Sequence, residues 1–183
     1  MSRVPPTKIY AGCSEDKCVE ACGQDWEKNG DHCYFWSTEK KTWTAAEDFC
    51  LQEGGHLASV TSNATNDFVL EGMNRIGLAQ ILLGGNDIEE EGAWKWTDCT
   101  HWEDTFWYPG EPNSAGAEDC LEMLGDIWVE KWSDWLDGPV EKVTRWNDMS
   151  CGTELGFVCS KKICSGRIPN MRKISVKTSR WSF

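Results

Sequence analysis

A chain of 183 residues and 20.7 kDa suits one buried core with extensions and is too short for several domains. Residues 161–183 hold seven of the eighteen Lys and Arg and no acid, which leaves residues 1–160 with eleven bases against thirty acids, or −19. That balance excludes nucleic acid as the partner of the folded part and favours a cation, while ten cysteines with no C-x-x-C pair exclude paired zinc knuckles and fit disulfides.

In chain order, residues 1–21 contain prolines, Cys13 and Cys18 without periodicity and read as an extension. The opening MSRVPPTKIYAGC has no apolar signal-peptide core, so a secreted, extracellular location is inferred from the cysteines. In CGQDWEKNGDHCYFW, Cys22 and Cys33 flank turn residues followed by alternating aromatics, the pattern of a disulfide-closed hairpin. Next, TWTAAEDFCLQEGGHLASV predicts a helix starting at Thr44, with Glu47 three residues on, Ala46, Phe49 and Cys50 inward, and a Gly54-Gly55 stop. A second helix is expected through TSNATNDFVLEGMNRIG, capped by Ser62 or Thr61, with Phe68, Val69 and Met73 facing the core. Its start contains the glycosylation sequon Asn63-Ala64-Thr65. Strands are predicted at ILLGG and AWKWTDC.

The stretch WYPGEPNSAGAEDC cannot be helical, because two prolines and two glycines interrupt it, yet it gathers Glu111, Asn113, Glu118 and Asp119. Beyond Cys120 come a short strand, a Trp-rich stretch and a final polar turn that holds Trp146-Asn147-Asp148. Trp128, Trp132 and Trp135 would share one helical face, either packed on the core or open as a stacking platform. GFVCS is the closing strand, and residues 161–183 form a basic tail without periodicity. No apolar run approaches the ~20 residues that span a bilayer.

These residues together resemble the C-type lectin-like family in its long form. The match rests on the Cys22 and Cys33 hairpin, Cys50 in the first helix, the EPN triplet beside Cys120, and the WND triplet at Trp146 to Asp148 before Cys151 and Cys159. It covers residues 22–160, leaving 1–21 as the extension and 161–183 as the tail. The implied fold is α+β, with two helices, small antiparallel sheets and a long calcium-binding loop region. The resemblance also implies the pairings Cys22 with Cys33, Cys50 with Cys159 and Cys120 with Cys151. Cys13, Cys18, Cys99 and Cys164 fall outside it, and four cysteines allow three connectivities or a bond to a second subunit. Two departures stand out: Leu82-Leu83-Gly84-Gly85 replaces the family's Trp-Ile-Gly-Leu strand, and the segment from Cys120 to Trp146 is longer than usual.

The cofactor expected from this resemblance is calcium, which takes six to eight hard oxygens. Glu111, Asn113, Glu118, Asn147 and Asp148 offer three carboxylates and two amide oxygens, a formal −3 against a dication. The same five residues would bind the sugar, and the resemblance points to a cis bond between Glu111 and Pro112. Glu-Pro-Asn implies mannose-type sugars, including N-acetylglucosamine and fucose, on cell-surface glycans or glycoproteins. Asp87, Glu91, Glu118 and Asp119 match positions of a second calcium site, although Ser114 stands where an acid would strengthen it and NDIEEEG reads equally as an exposed acidic turn.

An enzyme is not expected. Glu111 and Glu118 are better explained as ligands than as a glycosidase pair, and His101-Trp102-Glu103 lacks the P-C-x-x-C of a deaminase. His32, His56 and His101 read as surface or packed histidines. The alternative function keeps the fold and uses it to bind protein or ice around a structural calcium. A shallow monosaccharide site also favours clustering, hence a homo-oligomer.

Overall fold

The computed structural model describes residues 18–103, 105–113, 117–132 and 145–164. Strands β1 (Glu27–Asn29) and β2 (His32–Lys41) form the expected hairpin, turned at Gly30 with φ +59° and closed by the Cys22–Cys33 disulfide. Strand β2 then pairs along β8 (Leu155–Lys162), with Phe35 opposite Cys159, so the two long strands lie side by side.

Helix α1 (Trp43–Gln52) is capped by Thr42, whose side chain accepts from Ala45 N, and not by Thr44. The difference follows from Trp43, which is buried and donates its indole N–H to Leu83 O at 2.8 Å, fixing the first turn nearer the N-terminus. Glu47 is drawn inward instead of folding back on the helix start. It is fully buried, its Oε1 2.6 Å from His56 Nδ1 and its Oε2 accepting from Leu57 N at 2.8 Å. Those contacts tie α1 to β3 (His56–Leu57). Helix α2 (Asn63–Arg75) is capped by Ser62, which accepts from Thr65 N, and it buries Asn66, Val69, Leu70, Gly72 and Met73 at helical spacing. Gly72 lies against Trp36, where a Cβ would fall 2.3 Å from the indole.

Strands β4 (Gln80–Asn86), β5 (Lys95–Trp96), β6 (Cys120–Leu124) and β7 (Trp146–Met149) complete the sheet. Among the described residues its order is β1-β2-β8-β4-β6-β7, with β3 paired to β8 and β5 to β4. Three expectations are corrected here. The separate antiparallel sheets are one mixed sheet, joined by the parallel pairing of β4 with β8 at Ile81–Gly156 and Leu82–Phe157. The Trp-rich stretch adds a third helix, α3 (Asp126–Trp132), whose Trp128 packs edge-on to Tyr108, while Trp135 lies outside the described residues. The triplet Trp146-Asn147-Asp148, expected in a turn, lies in a strand.

Strand alternation divides the core between the two sheet faces. One carries Ile81, Leu83, Leu121, Met123 and Trp146 against α2, and the other Leu82, Phe157, Cys159 and Met149 against α1. Disulfides Cys50–Cys159 and Cys120–Cys151 are paired as the resemblance implied, both on the α1 side of the sheet. Of the cysteines left open, Cys18 bonds Cys164 and Val19 hydrogen-bonds Lys162 and Cys164, so the folded body includes these flanks. Cys99 is also disulfide-bonded, and Cys13 lies outside the described residues.

Candidate functional site

The loop from Phe106 to Asn113 is held on β7 through backbone and rings. Tyr108 N donates to Trp146 O at 2.7 Å and Glu111 N to Tyr108 O at 2.9 Å. Around the buried Trp146 ring stand Trp96, Trp102, Phe106 and Trp107, with centroids 5.0 to 5.9 Å away. Apolar burial of this kind anchors the loop's base, and polar side chains occupy its tip. Gly110 has φ +99°, a backbone that other residues rarely adopt, and the Glu111–Pro112 bond is cis. Asn113 N donates to both carboxylate oxygens of Asp148 at 3.1 Å, which places the loop tip against β7. The Cys120–Cys151 disulfide holds the ends of β6 and β7 together beneath it.

Acids accumulate here. Burial, then the hydrogen-bonding carboxyl of Asp148, then the charges of Asp148, Glu118 and Glu122 push Glu111 up to about 7. Its Oε2 atom is buried and has no hydrogen-bond partner among the described residues. Burial likewise pushes Glu122 up to about 7, against hydrogen bonds from Asn147 and Gln80 that stabilise the carboxylate. Among the described residues no ion pair engages Glu111, Glu118 or Glu122. Hard oxygens in excess, one of them buried and unpartnered, fit a calcium ion.

Of the five expected ligands, the structure brings Glu111, Asn113 and Asp148 into contact and places Glu118 within electrostatic reach of Glu111. Asn147 takes a different partner. It lies opposite Glu122 in the β6–β7 register and donates from Nδ2 to Glu122 Oε1 at 2.9 Å. Among the described residues no three His, Cys, Asp or Glu side chains form a metal-holding group.

Of the second set, Asp87 is buried, its Oδ2 accepts from Gly92 N at 2.8 Å, and its backbone N donates to Asp119 O at 3.1 Å. The Asp87 carboxylate thus closes its own turn, although its buried Oδ1 is unpartnered, and Glu91 points to solvent. Ser114 lies outside the described residues. Glu122 escaped the sequence reading. The available signal was an acid inside the apolar run Cys120-Leu121-Glu122-Met123-Leu124. The histidines have ordinary partners: His32 beside Asp31, His56 beside Glu47, and His101 beside Glu103.

The profile of the lectin C-type domain matches residues 39–161. The chain belongs to the C-type lectin domain family. It is 31% identical over 140 residues to human C-type lectin domain family 6 member A, covering 75% of this chain and 59% of that protein. Thus the chain spans only about 60% of the length of such curated relatives. Among solved structures it is similar to the cow carbohydrate-recognition domain of CD23 crystallised in the presence of a GlcNAc2Man3 oligosaccharide, with TM-score 0.64, 29% identity, and 80% and 99% of the two chains covered. It is also similar to a calcium-independent type II antifreeze protein, with TM-score 0.64, 26% identity, and 79% and 96% coverage. Domains of this family generally bind glycans with calcium and are generally not enzymes. Among the described residues no helix is long and apolar enough to cross a membrane.

Proposed function

We propose that this C-type lectin domain binds mannose-type glycans through calcium. The observation that carries the reading is the buried, unpartnered Glu111 Oε2 beside the carboxyl of Asp148. Glu111, Asn113, Glu118, Asn147 and Asp148 would hold the ion, and Asp87, Glu91, Glu118 and Asp119 a second one. When bound, the ion supplies coordination positions at which vicinal sugar hydroxyls replace water. The carboxylates would accept hydrogen bonds from those hydroxyls, while the Asn113 and Asn147 amides would donate hydrogen bonds to their oxygens. The Glu111-Pro112-Asn113 order favours equatorial 3- and 4-hydroxyls, as in mannose, N-acetylglucosamine and fucose. Glycans of cell surfaces or glycoproteins are the partners, oligomerisation supplies avidity, and the disulfides suit extracellular work. Asn63, exposed at the start of α2, is the proposed glycosylation site.

A glycan array read with calcium and then with chelator tests this reading. Calcium-dependent signal on mannose and N-acetylglucosamine is expected. Retention on galactose but not mannose would overturn the specificity.

The antifreeze likeness supports a second reading, an ice- or protein-binding surface. Thermal hysteresis with no glycan signal would favour it.

A further inference from the structure

Gln80 on β4, Glu122 on β6 and Asn147 on β7 share one face of three adjacent strands, set there by the registers Leu82–Glu122 and Glu122–Asn147. Gln80 Nε2 donates to both Glu122 oxygens, at 3.0 and 3.2 Å, and Asn147 Nδ2 donates to Oε1 at 2.9 Å. Glu122 is only 3% exposed. A buried acid without an ion pair is costly, and its apolar neighbours Leu82, Cys120 and Met149 would accommodate a hydrocarbon in its place. What a carboxylate can do there and hydrocarbon cannot is orient a neighbour that donates hydrogen bonds to it.

The two orientations of an asparagine amide have nearly the same shape and opposite chemistry: only Oδ1 binds a cation and only Nδ2 donates. A carboxylate, accepting only, admits one of them. We infer that Glu122, steadied by Gln80, is a positioning residue that fixes the Asn147 amide with Nδ2 toward the sheet, leaving Oδ1 and the second N–H for ion and sugar. This inference rests on the calcium reading above.

Glu122→Gln preserves shape but can donate to a turned amide, so it admits both orientations. Gln80→Leu leaves the charge intact and releases the carboxylate. In calorimetry with calcium alone, at a pH well above 7 so that Glu122 is ionised, E122Q is expected to weaken binding about tenfold and Q80L by a smaller but measurable factor. In metal-free protein, the two Asn147 side-chain N–H resonances should be well separated in the wild type and converge in E122Q. Calcium affinity of E122Q within about twofold of wild type, or loss in E122Q with none in Q80L, would overturn the inference, the latter because charge alone would then suffice. If the wild type bound no calcium, the functional reading would fail. The Asn147 resonances would still decide the positioning, and unchanged resonances in E122Q would overturn it.

Discussion

At Glu111, burial and the neighbouring Asp148, Glu118 and Glu122 all favour the neutral carboxyl, so its pKa rises from 4.5 to about 7, and burial raises Glu122 to about 7. Between these values the folded state binds more protons than the unfolded state, so stability without metal falls as pH rises through that window. Calcium held as proposed would compete with the same protons. Calorimetric scans in chelator should therefore show the melting temperature dropping from pH 5 to pH 7.5, and the increment due to calcium growing over the same range; the reverse slopes would contradict the assignment. Glu111→Gln keeps the shape and removes the clash with Asp148. It is expected to melt no lower than wild type in chelator at neutral pH and to lose the calcium increment, both measurable in one pair of scans.

At the scale of elements, helices were legible where apolar spacing met a polar cap, as in α2, whose Ser62 cap and Val69 and Met73 face were foreseen. Helix α1 began before the expected start because burial of Trp43 decided it, a tertiary effect that no cap pattern reports. Glu47 looked like half of a capping box and instead supports β3. Glu47→Ala should leave Leu57 N buried without its acceptor and cost about 1–3 kcal/mol, read as a lower denaturant midpoint at unchanged slope. The WND triplet looked like a turn because Asn and Asp favour turns, but Trp146 draws it into the ring cluster and the strand follows.

Across the whole molecule, the Cys50–Cys159 disulfide links residues 109 apart and ties the first helix to the last strand. The Cys120–Cys151 disulfide spans only 31 and fastens the site. Their removal should therefore separate stability from binding. Replacing Cys50 and Cys159 by Ala is expected to cost about 2–5 kcal/mol in unfolding experiments. Replacing Cys120 and Cys151 should weaken calcium binding more than the accompanying stability loss explains, which titration well below the melting point can measure.

Motif order in the chain was sufficient for the family and for the loop that carries Glu111 and Asn113, because each depends on local chemistry at fixed spacing, whereas the three disulfide pairings followed from the resemblance to that family and not from the cysteines themselves. Motif order did not determine the parallel β4–β8 junction, the Cys18–Cys164 bond or the partnership of Glu122 with Asn147. Those contacts join segments distant in sequence, and the packing of the sheet and its flanking strands selects them from many alternatives that local pattern leaves equal.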